Sequence, residues 1–470
     1  MKGTPVLKKN DVLTVDIEDI TDLGFGVARY GGMVIFVQDT VPADRAQIKI
    51  IKVNSQYAIS RLEKLITPSP IRVYDRCSEP KCRACAYKAI NYSSEAELKE
   101  NAVRRLFTPL GIKTLPVLKS VSTERYRNKA QYPISLVGGE YKIGYFAPKT
   151  HNVYSIQDCA LTPAIFSQII DICKLYFAKY NISVYNEESG EGLLRHVYLR
   201  RGEVSGEVLL CLVINGDEIP APEELIKSVT DVCPDIVGVL LNVNREDTNV
   251  ILGDKFITFF GRDYIFDTLC DTRLKITAPA FYQVNHDTAQ LLYREAERMA
   301  ELKSTDTLLD LYCGTGSIGL SMARRVKELI GIEIIESAVE CANENAKLNG
   351  FDNAHFFAGD AKDTKELLSR AESVLRRKIN PDVIILDPPR AGLDDTLIQF
   401  VCSKEPRCIV YISCNPKTLA RDVKKFIELG YRTDEVLPVD MFPGTGHVES
   451  VVCFKRYFDA YGGELLNEKN

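Results

Sequence analysis

Apolar and polar positions change their rhythm twice along this chain. In the first stretch, "DVLTVDIEDI", "GVARYGGMVIFV", "RAQIKIIKV" and "YAISRLEKLI" alternate at the two-residue period of strands, and turns such as "DLGFG" and "QDTVPAD" separate them. That pattern predicts an OB-type β-barrel over residues 1–68, a common nucleic-acid platform. From 69 to 270, strand-like runs ("LRHVYLRRG", "SGEVLLCLVIN", "IVGVLLNVN", "KFITFFG") mix with helical ones ("PAIFSQIIDICKLYFAKY", "PEELIKSVTDVC") without regular alternation. An α+β domain with an antiparallel sheet is expected there. From 271 to 470, strand and helix alternate in order. "TLLDLYC", "ELIGIEI", "AHFFAG", "DVIILD", "CIVYIS" and "VLPVDMF" read as strands, with a last one at "ESVVCF". This predicts a doubly wound α/β sheet with an antiparallel final strand.

Composition adds limits. At 470 residues the chain exceeds what one core supports, in line with three domains. Net charge is −5, so a nucleic-acid binder needs a local basic surface. The stretch "MKGTPVLKKNDVLTVD" has no apolar run of signal-peptide length, and nowhere do about 18 apolar residues follow one another. A cytoplasmic protein without membrane association is expected, acting as a monomer. Its 14 cysteines are then reduced, and any cluster of them points to metal or catalysis.

"LLDLYCGTGSIGL" (308–320) is a strand, a Gly-rich turn and a helix start. Gly314 and Gly316 let backbone approach a ligand, and Glu333 ends the next strand, placed to accept hydrogen bonds from ribose hydroxyls. In letters the turn is G-x-G-x-x-G, which also suits a dinucleotide. Asp310 before the turn and "DPPR" (387–390) after a later strand instead look like the S-adenosylmethionine (SAM) site of a class I, Rossmann-like methyltransferase. Asp360, after "FFAG", is placed to meet the adenine.

In "YISCNPKTLARD" (411–422), Cys414 ends a strand on the same rim as that turn, before an Asn-Pro turn and a helix. A thiolate there has work to do if the methyl acceptor is C5 of uracil. C5 is too weak a nucleophile alone; adding a thiolate at C6 puts charge on C5 and O4. A base must then take the C5 proton, and Glu449 in "DMFPGTGHVES" is the nearby carboxylate, with His447 a weaker candidate.

Together "SCNPKTLARD", "DPPRAGL", "FYQVN", "DLYCGTG" and "DMFPGTGHVES" resemble the RNA uracil-5-methyltransferase family over nearly the whole chain, and the N-terminal barrel is similar to that family's TRAM domain. The resemblance implies SAM-dependent formation of 5-methyluridine in structured RNA. Ribosomal 23S RNA is the expected target and uridine 54 of transfer RNA the alternative. It implies Cys414 as nucleophile and Glu449 as proton acceptor. It implies Gln283, Tyr312, Gly314, Glu333, Asp360 and Asp387 as cofactor- or uracil-facing residues. Phe281 offers a face for an unstacked base.

Cys77, Cys82 and Cys85 read C-x4-C-x2-C in "DRCSEPKCRACAY", and Cys159 in "SIQDCAL" completes a candidate set of metal ligands. Some family members carry a [4Fe–4S] cluster on three close cysteines and one distant. Here the first spacing is one residue shorter and Arg83-Ala84 replaces Gly-Gly, so zinc stays open beside the cluster. For RNA, the stretch from Lys99 to Lys129 holds eight cations and two acids, and "ERYRNKAQY" and "RHVYLRR" interleave cations with tyrosines. Arg127 and Lys129 are the candidate RNA contacts. Two other readings stay open. One is methylation of a nucleic-acid amino group, although Arg390 stands where such sites place an aromatic residue. The other is an RNA-binding protein with a relic cofactor fold.

Overall fold

A computed structural model describes residues 7–74, 77, 82–147, 150–360 and 364–456. The N-terminal part is a six-stranded sheet wound into a barrel, in the order Val12–Asp16, Arg45–Val53, Tyr57–Thr67, Met33–Gln38, Gly26–Tyr30, Asp19–Ile20. The two-residue rhythm decides its inside: Ala46, Ile48 and Ile50 point inward with Ala28, Ile35 and Val37, while their neighbours face out.

The central sheet has seven strands, ordered Val153–Ser155, Glu140–Phe146, Lys129–Val137, Leu194–Arg201, Val208–Ile214, Ile236–Val243, Lys255–Gly261. Only Val208–Ile214 and Ile236–Val243 run parallel, joined by the helix Pro222–Val232. That helix and Ala164–Lys179 cover one face. The other packs Tyr198, Leu209 and Leu240 against the hairpin Tyr264–Leu269/Thr272–Thr277. Continuous apolar runs such as "VLLCLVI" are thus buried on both sides.

The catalytic sheet runs Ala354–Ala358, Glu328–Glu333, Thr307–Leu311, Val383–Leu386, Cys408–Ser413, Glu449–Arg456, Glu435–Val439, Lys113–Thr114. The strand Glu449–Arg456 is antiparallel to both neighbours, as the sequence predicts. One element departs from sequence order. The helix Tyr92–Phe107 and the strand Lys113–Thr114 lie in the segment read as central, yet Val103, Phe107 and Ile112 pack into the core of the catalytic sheet. No helix among the described residues is long and apolar enough to cross a membrane.

Three cations in the stretches read as RNA-facing, Lys99, Arg195 and Arg200, are instead buried, while Arg104, Arg105, Lys113 and Arg125 stay exposed. Lys99 is 1% exposed and donates to Glu95 (2.8 Å), Asp440 (2.6 Å) and the Phe442 carbonyl (3.1 Å). In "RHVYLRR", Arg195 donates to the carbonyls of Asn244 and Glu246, both at 2.9 Å, and Arg200 to those of Thr277 (3.1 Å) and Ala280 (2.7 Å). These cations satisfy buried carboxylates and carbonyls, which a sequence count of charges does not distinguish from a solvated face.

Candidate active site

One cavity of about 1410 Å³ lies at the carboxyl rim of the catalytic sheet. It collects every residue expected at the cofactor and the uracil. Tyr312 and Gly314 follow the first strand, Glu333 ends the second, Asp360 follows the third, Asp387 the fourth and Cys414 the fifth. Glu449 reaches the same rim for a topological reason. It begins the one antiparallel strand, whose start lies beside its neighbour's end, and Ser450 pairs with Ser413. Phe281 and Gln283 enter from the loop before the helix His286–Ala300. That loop is pinned by Asn128, whose backbone N–H donates to the Val284 carbonyl and whose side chain donates to that of Gln283, both at 2.9 Å. Phe281 is 61% exposed, so it is a cavity-wall ring rather than a core aromatic.

The Gly-rich turn is tightly made. Tyr312 has φ of 65°, unusual for a residue with a side chain, and Gly314 and Gly316 follow with φ of 55° and 80°. The Gly314 N–H donates to Glu333 at 3.0 Å, and the other Glu333 oxygen accepts from the Ile335 N–H at 3.0 Å. The helix N-terminus is drawn onto Asp310: the Gly319 N–H donates to its Oδ2 at 2.9 Å, and a Cβ at Gly319 would sit 2.7 Å from that oxygen.

The electrostatics share one cause. Burial pushes Asp310 up to about 8, Asp387 to about 7 and Glu449 to about 8, with the Asp387 charge adding to Glu449 and Arg390 opposing. Burial raises the Cys414 thiol too, then Glu449 and Asp387, while the Arg390 charge and its hydrogen bond to the thiol lower it. A cation bound in this cavity would favour the ionised forms of Asp387 and Glu449, which line it.

Sequence reading passed over three contributors. Arg390 touches the thiol and meets His447, with Nη2 3.2 Å from Nδ1. Its place in "DPPR", directly after a rim strand, was the available signal. Phe442 and Thr445 also line the cavity; nothing local marked them. The turn after Cys414 is held as its letters suggest. Asn415 caps the helix Pro416–Glu428 by accepting from the Lys417 N–H at 3.1 Å, and its side chain donates to the Arg390 carbonyl at 3.1 Å.

A second cavity, of about 280 Å³, is lined by Cys77, Cys82, Cys85 and Cys159 and shares Arg127, Lys129 and Gln131 with the first. Burial raises the Cys82 thiol, and Cys77 and Cys159 add to the rise. The expected ligand set is assembled only in part. Four thiols share a cavity, yet among the described residues no three His, Cys, Asp or Glu side chains converge closely enough to hold a metal ion. Residues 78–81, inside the cysteine motif, lie outside the described residues. Lys129, a candidate RNA contact, is pushed down to about 8 by burial and by Arg200 and Arg127.

Comparison with known proteins agrees with this layout. Residues 245–457 match the tRNA (uracil-5-)-methyltransferase family, and residues 7–62 the TRAM domain. Uncharacterized RNA methyltransferases of Bacillus cereus and Clostridium acetobutylicum are similar at 38% and 36% identity, over 97% of this chain and 99% of theirs. The crystal structure of Pyrococcus abyssi tRNA (uracil-54, C5)-methyltransferase in complex with S-adenosyl-L-homocysteine is similar at 29% identity. Its TM-score is 0.75, over 94% of this chain and 99% of that one.

Proposed function

The chain belongs to the RNA (uracil-5-)-methyltransferase family, and from that premise we propose SAM-dependent methylation of C5 of a uridine in structured RNA, with Cys414 and Glu449 carrying the chemistry. The observation behind this reading is their placement: a thiol and a fully buried carboxyl in one cavity with the Gly-rich turn. SAM, when bound, supplies an electrophilic methyl group and a positive charge. The turn at Gly314, with Glu333 and Asp360, holds the cofactor, and Gln283, Tyr312 and Asp387 face it or the uracil. Phe281 stacks on the base, and Arg127 and Lys129 contact RNA at the cavity edge.

The steps follow from the side chains. Cys414 Sγ, ionised beside Arg390, bonds to C6 and pushes the C5–C6 π electrons towards C5 and O4. C5 would take the methyl group as the cofactor's S–CH3 bond breaks, its electron pair staying with the departing thioether. Glu449 then removes the C5 proton, the C5–C6 double bond returns, and the C6–S bond breaks to restore the thiolate. Buried carboxyls near neutrality suit this base, because a proton acceptor works best when its pKa lies near the working pH.

Ribosomal 23S RNA is the proposed substrate, favoured by the TRAM barrel together with the cysteine cavity. Transfer RNA is the second reading, favoured by what the Pyrococcus abyssi enzyme acts on. The test is nucleoside mass spectrometry after incubating the protein and methyl-labelled SAM with separated ribosomal and transfer RNA lacking 5-methyluridine. Label in 5-methyluridine of the large ribosomal RNA is expected, label in the transfer RNA selects the second reading, and label on another nucleoside refutes both.

By donor type the cysteine cavity suits a [4Fe–4S] cluster, since Cys77, Cys82, Cys85 and Cys159 all line it. Binding would require these thiols to close up and lose their protons. Iron and acid-labile sulfide in anaerobically purified protein, both lost in Cys85→Ser, are expected; zinc in their place would identify the other metal.

A further inference from the structure

Cys414 borders a third cavity as well. It measures about 460 Å³ and opens on the other side of the Arg390–His447 contact, and Cys414, Arg390 and His447 line both it and the cofactor cavity. Its remaining walls include Asp19 and Asp22 of the barrel, Tyr87, Arg105 of the helix Tyr92–Phe107, and Lys417 at the start of the helix Pro416–Glu428. These walls meet backbone to backbone. A Cβ at Gly446 would lie 2.1 Å from the Asp22 carbonyl oxygen, and the Tyr87 N–H donates to the Gly444 carbonyl at 2.8 Å.

The cavity pairs cations with acceptors. Arg105 donates to Asp19 at 2.9 Å, whereas Lys417 Nζ stands 3.7 Å from Asp22 Oδ2, beyond hydrogen-bond length. The Lys417 and Asp22 side chains are 73% and 56% exposed, so each can take a new partner. A flexible ammonium suits a phosphate, and a carboxylate suits the amino group of a base. The guanidinium and imidazole of the dividing wall offer faces on which a base can stack.

If the cofactor fills the Gly314–Glu333 end of the large cavity, the uracil lies at the Cys414–Glu449 end and its strand must leave beside the thiol. The third cavity begins there. We propose that it takes the nucleotide adjacent to the target uridine, with a base that carries an exocyclic amino group: Asp22 accepts from that amino group and Lys417 holds its phosphate. This inference rests on the uridine-methylation reading. Uracil has O4 where adenine and cytosine have their amino group, so a carboxylate placed to accept from that amino group meets an acceptor instead, and the cavity disfavours uracil.

The experiment uses the full chain and a synthetic hairpin of the RNA found to carry the label, with each neighbour of the target changed to adenine, cytosine, uracil or an abasic residue. On one side, the abasic residue is expected to lower kcat/KM about tenfold or more. On that side, an amino-bearing base is expected to exceed uracil by about tenfold. In Asp22→Asn, whose amide donates as well as accepts, that ratio is expected to fall to about one or to reverse. Lys417→Gln is expected to weaken binding to every hairpin alike and to lower the salt slope by about one. Equal rates for all neighbours on both sides, or an undiminished ratio in Asp22→Asn, would overturn the proposal while leaving uridine methylation intact. Absence of 5-methyluridine from every RNA would overturn methylation itself and this cavity's role with it.

Discussion

At the scale of single residues, the site is governed by what burial does to charge. Cys414→Ala should leave no detectable 5-methyluridine while RNA binding in a filter assay persists, because only the proposed nucleophile is lost. Glu449→Gln should methylate but fail to release, so that a slow-moving RNA–protein adduct accumulates on a denaturing gel. Glu449 also makes the protein's stability depend on pH. Its carboxyl sits at about 8 in the fold against an ordinary 4.5. Between those values the folded state holds a proton that the unfolded state has released. Stability therefore falls as pH rises through that window. Glu449→Gln removes the penalty, so the variant should melt above the native protein at pH 8.5, and the gap should close towards pH 5. Activity carries the opposite slope: kcat/KM should climb as pH rises through about 8 and on upward, since Glu449 and the raised Cys414 thiol must both be ionised in the proposed reaction.

At the scale of elements, the helix Tyr92–Phe107 is the strut of the active-site loop. Through Lys99 and Glu95 it grips Asp440, the Phe442 carbonyl and the Gly444 N–H, which Glu95 accepts at 2.6 Å. That loop runs on to His447 and Glu449. Lys99→Met would leave two carboxyls buried without their cation and should cost about 3–5 kcal/mol in urea unfolding. Little along the chain announces this helix, because "YSSEAELKENAVRRLF" is rich in charge and its buried lysine looks like a surface residue. The strands and helices of the catalytic sheet were plainer. Each apolar run is bounded by a turn, and the segment "PKTLARDVKKFIE" carries a sharply one-sided apolar stripe that packs Leu419, Val423 and Phe426 inward.

At the scale of the whole molecule, three parts converge on one thiol. The barrel docks on the catalytic loop at Gly446, and the central sheet supplies Arg127 and Lys129 to the cavity rim. With a net charge of −5, RNA affinity has to come from such local cations, so binding should weaken steeply between about 50 and 200 mM salt in a filter-binding titration. Much of this architecture was legible along the chain. The period of two built the barrel, and strand–helix alternation built the catalytic sheet. Tyr312, Glu333, Asp387 and Cys414 stood at strand ends, where rim residues must fall. These readings work because they depend on neighbours in sequence: side-chain direction follows backbone period, and a turn residue follows its strand. Tertiary structure alone decided the rest. Whether Lys99, Arg195 and Arg200 meet solvent or buried carbonyls depends on partners hundreds or tens of residues away, and so does the elevation of Glu449 to about 8. Burial and electrostatic coupling are properties of the closed assembly, and no local pattern of residues encodes them.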